Sequence, residues 1–204
     1  MTTSRIDLQV AVRVVTPLVL LFTVLTTYAA KPITLVPVGQ QTVGSLKIDV
    51  AAGWNTLNAE SKGGPAIAIW TCDGPLLDRL MIYAGIGDDH ALSIERSKVQ
   101  LPHFEASMPQ NELVTFVEEN LKTMFGDDPA AVVSSNVQAQ NFGDNAGILF
   151  EVDVTPVKLA HYKGTIGAFV AEKKLYLMMY LGADPHYYDM RLAAAKQMIV
   201  SARL

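Results

Sequence analysis

The chain has 204 residues, of which 16 are basic and 20 acidic, giving a formal net charge of −4. A mildly acidic chain without a run of Lys or Arg lacks the charge pattern that attracts nucleic acid or an anionic lipid surface, so we expect no nucleic-acid partner. Cys72 is the only cysteine, which excludes a disulfide within the chain. We predict that Cys72 is a buried small side chain; a redox or nucleophilic role, or an intermolecular disulfide, stays open.

The first thirty residues predict export. Arg5 and Arg13 precede a mostly apolar run, Val14–Leu25, and small residues follow it before Lys31. This is the layout of an export signal. The apolar run has about 12 residues, against the roughly 20 that span a bilayer. We therefore predict that residues 1–30 are a cleaved export signal, with an uncleaved N-terminal anchor as the alternative. The protein is then periplasmic or otherwise extracytoplasmic, and the anchor is its only predicted membrane contact.

The chain between the signal and the first helix predicts three strands and two irregular stretches. Residues 31–43 contain two prolines and no hydrophobic period, so we predict an extended lead. Alternating apolar residues predict strands at 44–50, 66–71 and 77–86. Asp73 and Gly74 lie between the last two strands, and this turn signal predicts that they form a hairpin. Residues 87–106 have no firm hydrophobic period, so we predict a long loop, which in a compact domain is usually functional or disordered. The loop is not of low complexity, so we expect it to be ordered against the body.

A capping box predicts the start of the first helix. Ser107 and Gln110 have the spacing of that motif, and Pro109 lies in the first turn. Gly126 is placed to end the helix. Apolar residues at helical spacing between these points form one stripe, which predicts an amphipathic surface helix.

Four strands and a second helix are predicted after the first helix. The strands are predicted at 131–140, 148–154, 162–171 and 175–181. In the first of these, Val133, Val137 and Ala139 are predicted to face the core. The last strand is apolar on both faces, so we predict that it lies at the centre of the sheet. Asp184 and Pro185 predict the start of the second helix, as its N-cap and first residue.

The order βββ-α-ββββ-α predicts an α+β fold, in which a curved antiparallel sheet of about seven strands carries two main helices. The strand at 44–50 and the turn at Gly53-Trp54 resemble the opening strand and the "P-x-G-W" turn of Mog1/PsbP-like domains, without the proline. Ser201-Ala202-Arg203 resembles the end of the C-terminal helix of these domains. The segment Trp70–Asp78 also resembles a motif of exported, often lipid-anchored bacterial proteins.

This resemblance implies one Mog1/PsbP-like α/β domain at residues 44–204, and an accessory, binding or assembly role without catalytic residues. The residues agree with a role of this kind. The four histidines do not have metal-ligand spacing, and the chain has no nucleophile or phosphate-binding motif. We therefore expect a non-enzymatic protein without a metal or a cofactor.

One group of side chains predicts a binding surface. Its members are aromatic or polar and lie on or beside the predicted hairpin and at the start of the long loop: Trp70, Asp73, Asp78, Tyr83, Asp88, Asp89 and His90. Large aromatic rings beside a few polar groups, under a long loop, can line a cleft. We expect this surface to bind an envelope protein or a small ligand, which makes the chain an envelope accessory protein.

Three alternatives stay open. In the first alternative, Trp70 and Tyr83 are core residues and the charged side chains of the loop are solvated, without a binding role. In the second, a hydrolase-type enzyme has a site assembled in space around Cys72, Asp73 and His90. In the third, the chain is a purely structural component of the envelope.

Overall fold

A computed structural model describes residues 33–57, 65–92, 101–125 and 128–204. The predicted export signal and Gly126 lie outside these residues. The described helices are α1 (Gln110–Lys122) and α2 (His186–Val200). The described strands are β1 (Thr34–Val36), β2 (Gly39–Val43), β3 (Leu46–Val50), β4 (Trp54–Leu57), β5 (Ala66–Thr71), β6 (Asp78–Ile86), β7 (Ala131–Phe142), β8 (Asn145–Thr155), β9 (Tyr162–Ala171) and β10 (Lys174–Ala183). Neither described helix is long and apolar enough to cross a membrane.

Eight of the strands form one antiparallel sheet, in the order β1-β4-β5-β6-β10-β9-β8-β7, and β2 pairs with β3 in a separate hairpin. β10 lies between β6 and β9, and all of its residues except Lys174 are buried. This placement confirms the prediction that the strand apolar on both faces is central. The antiparallel pairing of β5 with β6 confirms the predicted hairpin, and the α+β fold is as predicted.

Each face of the sheet is covered by one helix. Phe116 and Leu121 of α1 pack in a core that includes Leu177 of β10. On the other face, Ile199 of α2 packs in a core that includes Tyr180 of β10 and the buried residues of the β2–β3 hairpin. Because successive side chains of a strand point to opposite faces, β10 contributes to both cores.

α2 approaches the sheet closely at Gly167 of β9. A Cβ atom on Gly167 would lie 2.5 Å from Cγ2 of Ile199, which is closer than packed carbon atoms approach. The residues after α2 pair with β3. The Lys47 N–H donates to the Arg203 carbonyl at 2.8 Å, and the Arg203 N–H donates to the Lys47 carbonyl at 3.0 Å. The helix and the residues after it are thereby fixed to the sheet and to the β2–β3 hairpin.

The described residues before α1 form six strands, where the sequence predicts three, and the main sheet has eight described strands rather than about seven. β1 and β2 lie within residues 31–43, which are predicted as an extended lead. Trp54, predicted to lie in a turn, begins β4. Because β1 pairs with β4 and β2 pairs with β3, residues 34–43 are part of the folded body. β1 has three residues and β4 has four, and β2 (GQQTV) is mostly polar, so none of the three shows a hydrophobic alternation.

The predicted inward face of β7 is wrong. Val133 is 63% exposed, Val137 is 53% exposed, and Ala139 is also exposed. β7 is an edge strand, so one of its sides has no neighbouring strand in the sheet. Its pairing with β8 is also interrupted by a bulge between Ser135 and Gln138, where Asn136 has a φ of 51°. A bulge changes which face the following side chains occupy, and a simple alternation cannot predict it.

The predicted caps of both helices are wrong. α1 begins at Gln110 after Pro109, without a side-chain cap, because residues 105–108 form a separate turn in which the Met108 N–H donates to the Glu105 carbonyl. Ser107 therefore precedes the helix and does not cap it. α2 begins at His186, also without a side-chain cap. The carboxylate of Asp184 binds other side chains instead.

Candidate functional site

The carboxylate of Asp78 holds the turn between β5 and β6. Asp78 is fully buried, and it accepts hydrogen bonds from the Thr71 hydroxyl at 2.9 Å, the Cys72 N–H at 3.0 Å and the Asp73 N–H at 2.7 Å. The Thr71 oxygen in turn accepts the Gly74 N–H at 2.8 Å. The acceptor positions of Asp78 are therefore occupied by groups of its own turn, and the residue has a structural role there.

Asp73 connects the same turn to α2. Its Oδ2 atom accepts hydrogen bonds from Nε and Nη2 of Arg191, both at 3.2 Å. The two guanidinium N–H groups share one carboxylate oxygen, in a charge-assisted contact between the two side chains. Asp73 thus fastens the β5–β6 turn to the helix.

Cys72 is half-buried in this turn. Its Sγ lies 3.6 Å from the carbonyl oxygen of Gly53. Burial, together with the nearby charge of Asp78, raises the pKa of the thiol to about 11. Because the thiolate is the nucleophilic form, a thiol with this pKa is a poor nucleophile at neutral pH.

Trp70 and Tyr83 lie on opposite faces of the sheet. Trp70 is buried in the core beneath α2, and Tyr83 is buried in the core beneath α1. Burial raises the pKa of Tyr83 to about 12. Trp70 pairs with Leu80, and Tyr83 follows Leu80 by three residues, so its side chain points to the other face. The two rings are core residues, and they do not line one cleft as the sequence predicts.

The base of the 87–106 loop packs against α1. Leu92 and Phe104 are buried in the core beneath α1. Asn120 of α1, itself buried, accepts the Leu92 N–H at 3.1 Å and donates to the Pro102 carbonyl at 3.2 Å. The two described arms of the loop are therefore fastened to one helix side chain; residues 93–100 lie outside the described part of the chain.

Asp88, Asp89 and His90 of this loop are exposed, and we call them the loop tip. The Asp89 N–H donates to the Phe104 carbonyl, and the Phe104 N–H donates to the His90 carbonyl, both at 2.9 Å. The Asp88 carboxylate accepts the Ala106 N–H at 2.5 Å. The loop tip is therefore held by hydrogen bonds to the returning arm of the loop, while its three side chains are exposed.

His103 of the returning arm also contacts the loop tip. Its Nδ1 atom lies 2.7 Å from Oδ1 of Asp89. This hydrogen bond holds the pKa of Asp89 below its ordinary value. The side chain of Asp89 is 91% exposed, so the loop tip presents a carboxylate to solvent.

The two ends of β6 separate the predicted site residues. Cys72, Asp73 and Asp78 lie at the start of β6, and the loop tip follows its end. A strand of nine residues is roughly 26 Å from its first to its last residue. The structure therefore does not bring His90 to Cys72 and Asp73, and the hydrolase-type site considered from the sequence is not assembled.

A charged cluster at the start of α2 was not predicted from the sequence. The ring of His161 contacts Asp153 through Nε2 and Asp184 through Nδ1, the latter at 3.3 Å. Lys163 binds Asp184 at 3.0 Å, and this hydrogen bond holds the pKa of Asp184 below its ordinary value. These residues come from β8, β9 and the entry to α2, so only the strand register brings them together. A shallow hollow beside them is lined by Pro185, His186, Asp189 and Met190.

Arg79 is a cation without a carboxylate partner in the described part of the chain. Its guanidinium lies 4.6 Å from the centroid of the Phe125 ring and 5.8 Å from that of Tyr162. Its Nε and Nη2 atoms are buried and make no hydrogen bond. Burial lowers the pKa of this group. Attraction to the two rings offsets part of the desolvation cost, and Arg79 thereby attaches the segment after α1 to the sheet.

The described residues contain no group of three or more His, Cys, Asp or Glu side chains arranged to hold a metal ion. The charged cluster at the start of α2 and the pair of Asp73 and Arg191 consist of hydrogen bonds and ion pairs that connect different elements of the fold. Of the sequence-predicted residues, Asp73 and the loop tip are exposed on a fixed backbone, and the Asp73 carboxylate is paired with Arg191 of α2.

Among solved structures, the chain is similar to cyanobacterial PsbP (CyanoP) from Synechocystis sp. PCC 6803. The TM-score is 0.52 at 11% sequence identity, and the match covers 86% of this chain and 95% of that one. The chain has the PsbP-like fold. This confirms the fold implied by the sequence resemblance. LpqN, involved in cell envelope biogenesis of Mycobacterium tuberculosis, matches with a TM-score of 0.42 at 14% identity, covering 84% of this chain and 91% of LpqN. No protein-family model matches the chain, and no curated protein does.

Proposed function

We propose that the protein is a non-enzymatic, extracytoplasmic accessory protein that binds an envelope protein or a small ligand at the loop tip. The extracytoplasmic location is supported by the export signal that residues 1–30 predict. The PsbP-like fold is compatible with many functions, so we assign this function from the residues of the site.

The observation that carries the proposal is the arrangement of the loop tip. Asp88, Asp89 and His90 are exposed, while two backbone hydrogen bonds and one from the Ala106 N–H to the Asp88 carboxylate join the loop tip to residues 104–106. A surface that is already ordered loses little conformational entropy when a partner binds. Exposed polar residues on a loop fixed by a rigid scaffold are a common form of binding site.

The structural contacts of the other candidate residues support a role without catalysis. The Asp78 carboxylate is occupied by its turn, and Asp73 is paired with Arg191. The raised pKa of Cys72 disfavours its thiolate, and β6 separates it from His90. An acyl-transfer site needs a nucleophile and a base within hydrogen-bond distance, and these residues do not supply one.

Affinity capture from envelope extract tests the proposal. The full chain is compared with Asp89→Asn, which removes the exposed charge of the loop tip. Asn is chosen because Asp89 has a φ of 62°, a conformation that Asn tolerates well. We expect the captured partner to fall roughly fivefold or more, the effect of losing one important interface residue.

Asp144→Asn is the matched control, because Asp144 is an exposed carboxylate in the turn between β7 and β8. This variant should capture as much partner as the wild type. Equal capture by the Asp89 and Asp144 variants would contradict the assignment of the loop tip. If the wild type captures no protein, a small-molecule ligand is tested instead. The wild type and the Asp89 and Asp144 variants are then screened for small molecules that raise the melting temperature of the wild type and not that of the Asp89 variant.

A further inference from the structure

The free edge of β7 is the longer of the two edges of the main sheet. β1 and β7 are the edge strands of this sheet; β1 has three residues and β7 has twelve. The sequence of β7, AVVSSNVQAQNF, contains no charged residue and no proline. Edge strands of soluble proteins are usually short or carry Lys or Pro, which prevent a further strand from pairing with them. Because β7 lacks these features, its edge can accept another strand.

The pairing with β8 determines which residues of β7 point their backbone groups to the free edge. In an antiparallel pair, alternate residues direct their N–H and C=O groups to the partner strand, and the residues between them direct these groups away from it. The Ser134 N–H donates to the Glu118 carboxylate at 2.8 Å, so Ser134 and, two residues earlier, Val132 are of the second kind. The Glu118 side chain has to turn away when another strand pairs with Ser134.

The bulge in β7 shifts this alternation by one residue. Ser134 pairs with an even-numbered residue of β8, and beyond the bulge Ala139 and Asn141 do so. β8 pairs with β9 in one unbroken register, so its even-numbered residues turn their backbone groups away from β7 along the whole strand. The residues of β7 that point to the free edge are therefore Val132 and Ser134 before the bulge, and Ala139 and Asn141 after it.

This set of positions is complementary to itself. When a second copy lies antiparallel with its Asn141 opposite Val132, its Ala139 falls opposite Ser134, and the reverse pairs follow by symmetry. Each backbone group that points outward then meets a group that also points outward, and the two bulges face each other at the centre. A contact in which both subunits use the same surface is the usual form of a symmetric dimer.

The side chains of β7 also permit this pairing. Two copies of a chain with a net charge of −4 repel each other, but the uncharged β7 brings no like charges into contact. Val133 and Val137 are 63% and 53% exposed, and the pairing covers part of their apolar surface. We propose that the protein forms a symmetric dimer in which β7 pairs with β7 of a second copy, which joins the two eight-stranded sheets. This dimer does not depend on the binding role of the loop tip.

Disulfide crosslinking between full chains tests the register of this dimer. Every chain carries Cys72→Ser; one also carries Val133→Cys, and a second, with a different affinity tag, carries Gln140→Cys. In the dimer these two positions lie opposite each other as a pair without backbone hydrogen bonds, with Cα atoms about 4.5 Å apart, which a disulfide can bridge. Each new cysteine lies roughly 20 Å along the strand from the same position of the second copy, so neither chain can crosslink with itself.

We expect oxidation of the two chains together to give roughly fivefold or more disulfide-linked dimer than oxidation of either chain alone. The matched control replaces Val133→Cys by Val157→Cys, because Val157 is 66% exposed and lies between β8 and β9. Thermal melting checks that each chain is folded. Equal crosslinking in the mixture and the control would overturn the proposal. So would crosslinks from the β7 cysteines to a different protein, because another strand would then occupy this edge.

Sedimentation of the full chain in mild detergent measures the dimer without a crosslink. Val133→Lys places a charge on the free edge, and we expect it to raise the dissociation constant of the dimer roughly tenfold or more. Val157→Lys is the matched control and should leave this constant unchanged. A wild type that stays monomeric, or equal constants for the two Lys variants, would contradict pairing through β7. Since neither experiment involves the loop tip, their failure would leave the capture experiment unaffected.

Discussion

Thr71 and Asp78 share a buried hydrogen bond of 2.9 Å that closes the turn between β5 and β6. The sequence signal for this hairpin is Asp73-Gly74, yet the residue that organises the turn is Asp78, at the start of the next strand. Its carboxylate also accepts two backbone N–H groups. A residue considered as a ligand-binding carboxylate is therefore a structural one.

Replacing Asp78 should strongly destabilise the fold. Asp78→Ala leaves the Thr71 hydroxyl and two N–H groups buried without an acceptor, and we expect the free energy of unfolding to fall by about 3 kcal/mol. Asp78→Asn keeps one acceptor oxygen and should cost less. Urea denaturation measures both. Asp73→Asn, which breaks a partly exposed ion pair, is the control and should cost less than about 1 kcal/mol. Equal costs for Ala at 78 and Asn at 73 would contradict the assigned role of Asp78.

Cys72 should react slowly with thiol reagents. With a pKa of about 11, its thiolate fraction at pH 7 is far below that of an ordinary cysteine. We expect alkylation of the folded protein by iodoacetamide to be roughly 300-fold slower than that of a free thiol of pKa about 8.5. The rate should keep rising with pH up to about pH 11 and should become ordinary in denaturant. If the alkylation rate of the folded protein instead rose with a midpoint near pH 8, Cys72 would be an ordinary reactive thiol, contrary to this prediction.

Arg79 should be replaceable by a residue that is apolar and long. Arg79→Met keeps packing against Phe125 and Tyr162 without the cost of burying a charge, so we expect the free energy of unfolding to stay the same or to rise by about 1 kcal/mol. Arg79→Ala loses this packing and should destabilise the protein by roughly 2 kcal/mol. Thermal and urea unfolding distinguish the two. If the Met variant were as unstable as the Ala variant, the guanidinium itself would be required.

The ion pair between Lys163 and Asp184 should contribute stability that depends on pH. The folded protein holds the pKa of Asp184 below its ordinary value, chiefly through the hydrogen bond from Lys163. A lowered pKa adds stability above the unfolded value of about 3.9, and that stability is lost as the pH falls through the folded value. We therefore expect the wild type to have a higher melting temperature than Asp184→Asn at pH 6, and this difference to shrink below about pH 4. Asp144→Asn is the control. A difference in melting temperature between the wild type and Asp184→Asn that did not change with pH would contradict the prediction.

The parts of the fold that could be predicted from the sequence are those with long or strongly patterned segments. β10 is apolar on both faces and is central, and the strands of the β5–β6 hairpin show clear alternation. β1 and β4 are very short and β2 is mostly polar, so the three are recognisable only by their pairing. The predicted inward face of Val133 and Val137 is wrong, because β7 is an edge strand and the bulge at Asn136, which depends on the partner strand, interrupts its alternation.

The candidate site was harder to predict because it depends on register. Trp70 and Tyr83 are on neighbouring strands, but the turn between them sets a pairing that directs them to opposite faces. The cluster of His161, Asp153 and Asp184 has no sequence signal, since its members come from three elements. The loop tip was predicted from loop length and residue type. The hydrogen bonds that hold it come from residues more than ten positions later in the chain.

Photo-crosslinking in intact cells tests the central claim, the binding role of the loop tip, most directly. A photoreactive amino acid is placed at position 89 in one full chain and at position 144 in another, both exposed turn or loop positions. We predict a discrete crosslinked protein from position 89 and none from position 144. Crosslinks of the same pattern from both positions, or none from position 89, would contradict a protein partner at the loop tip.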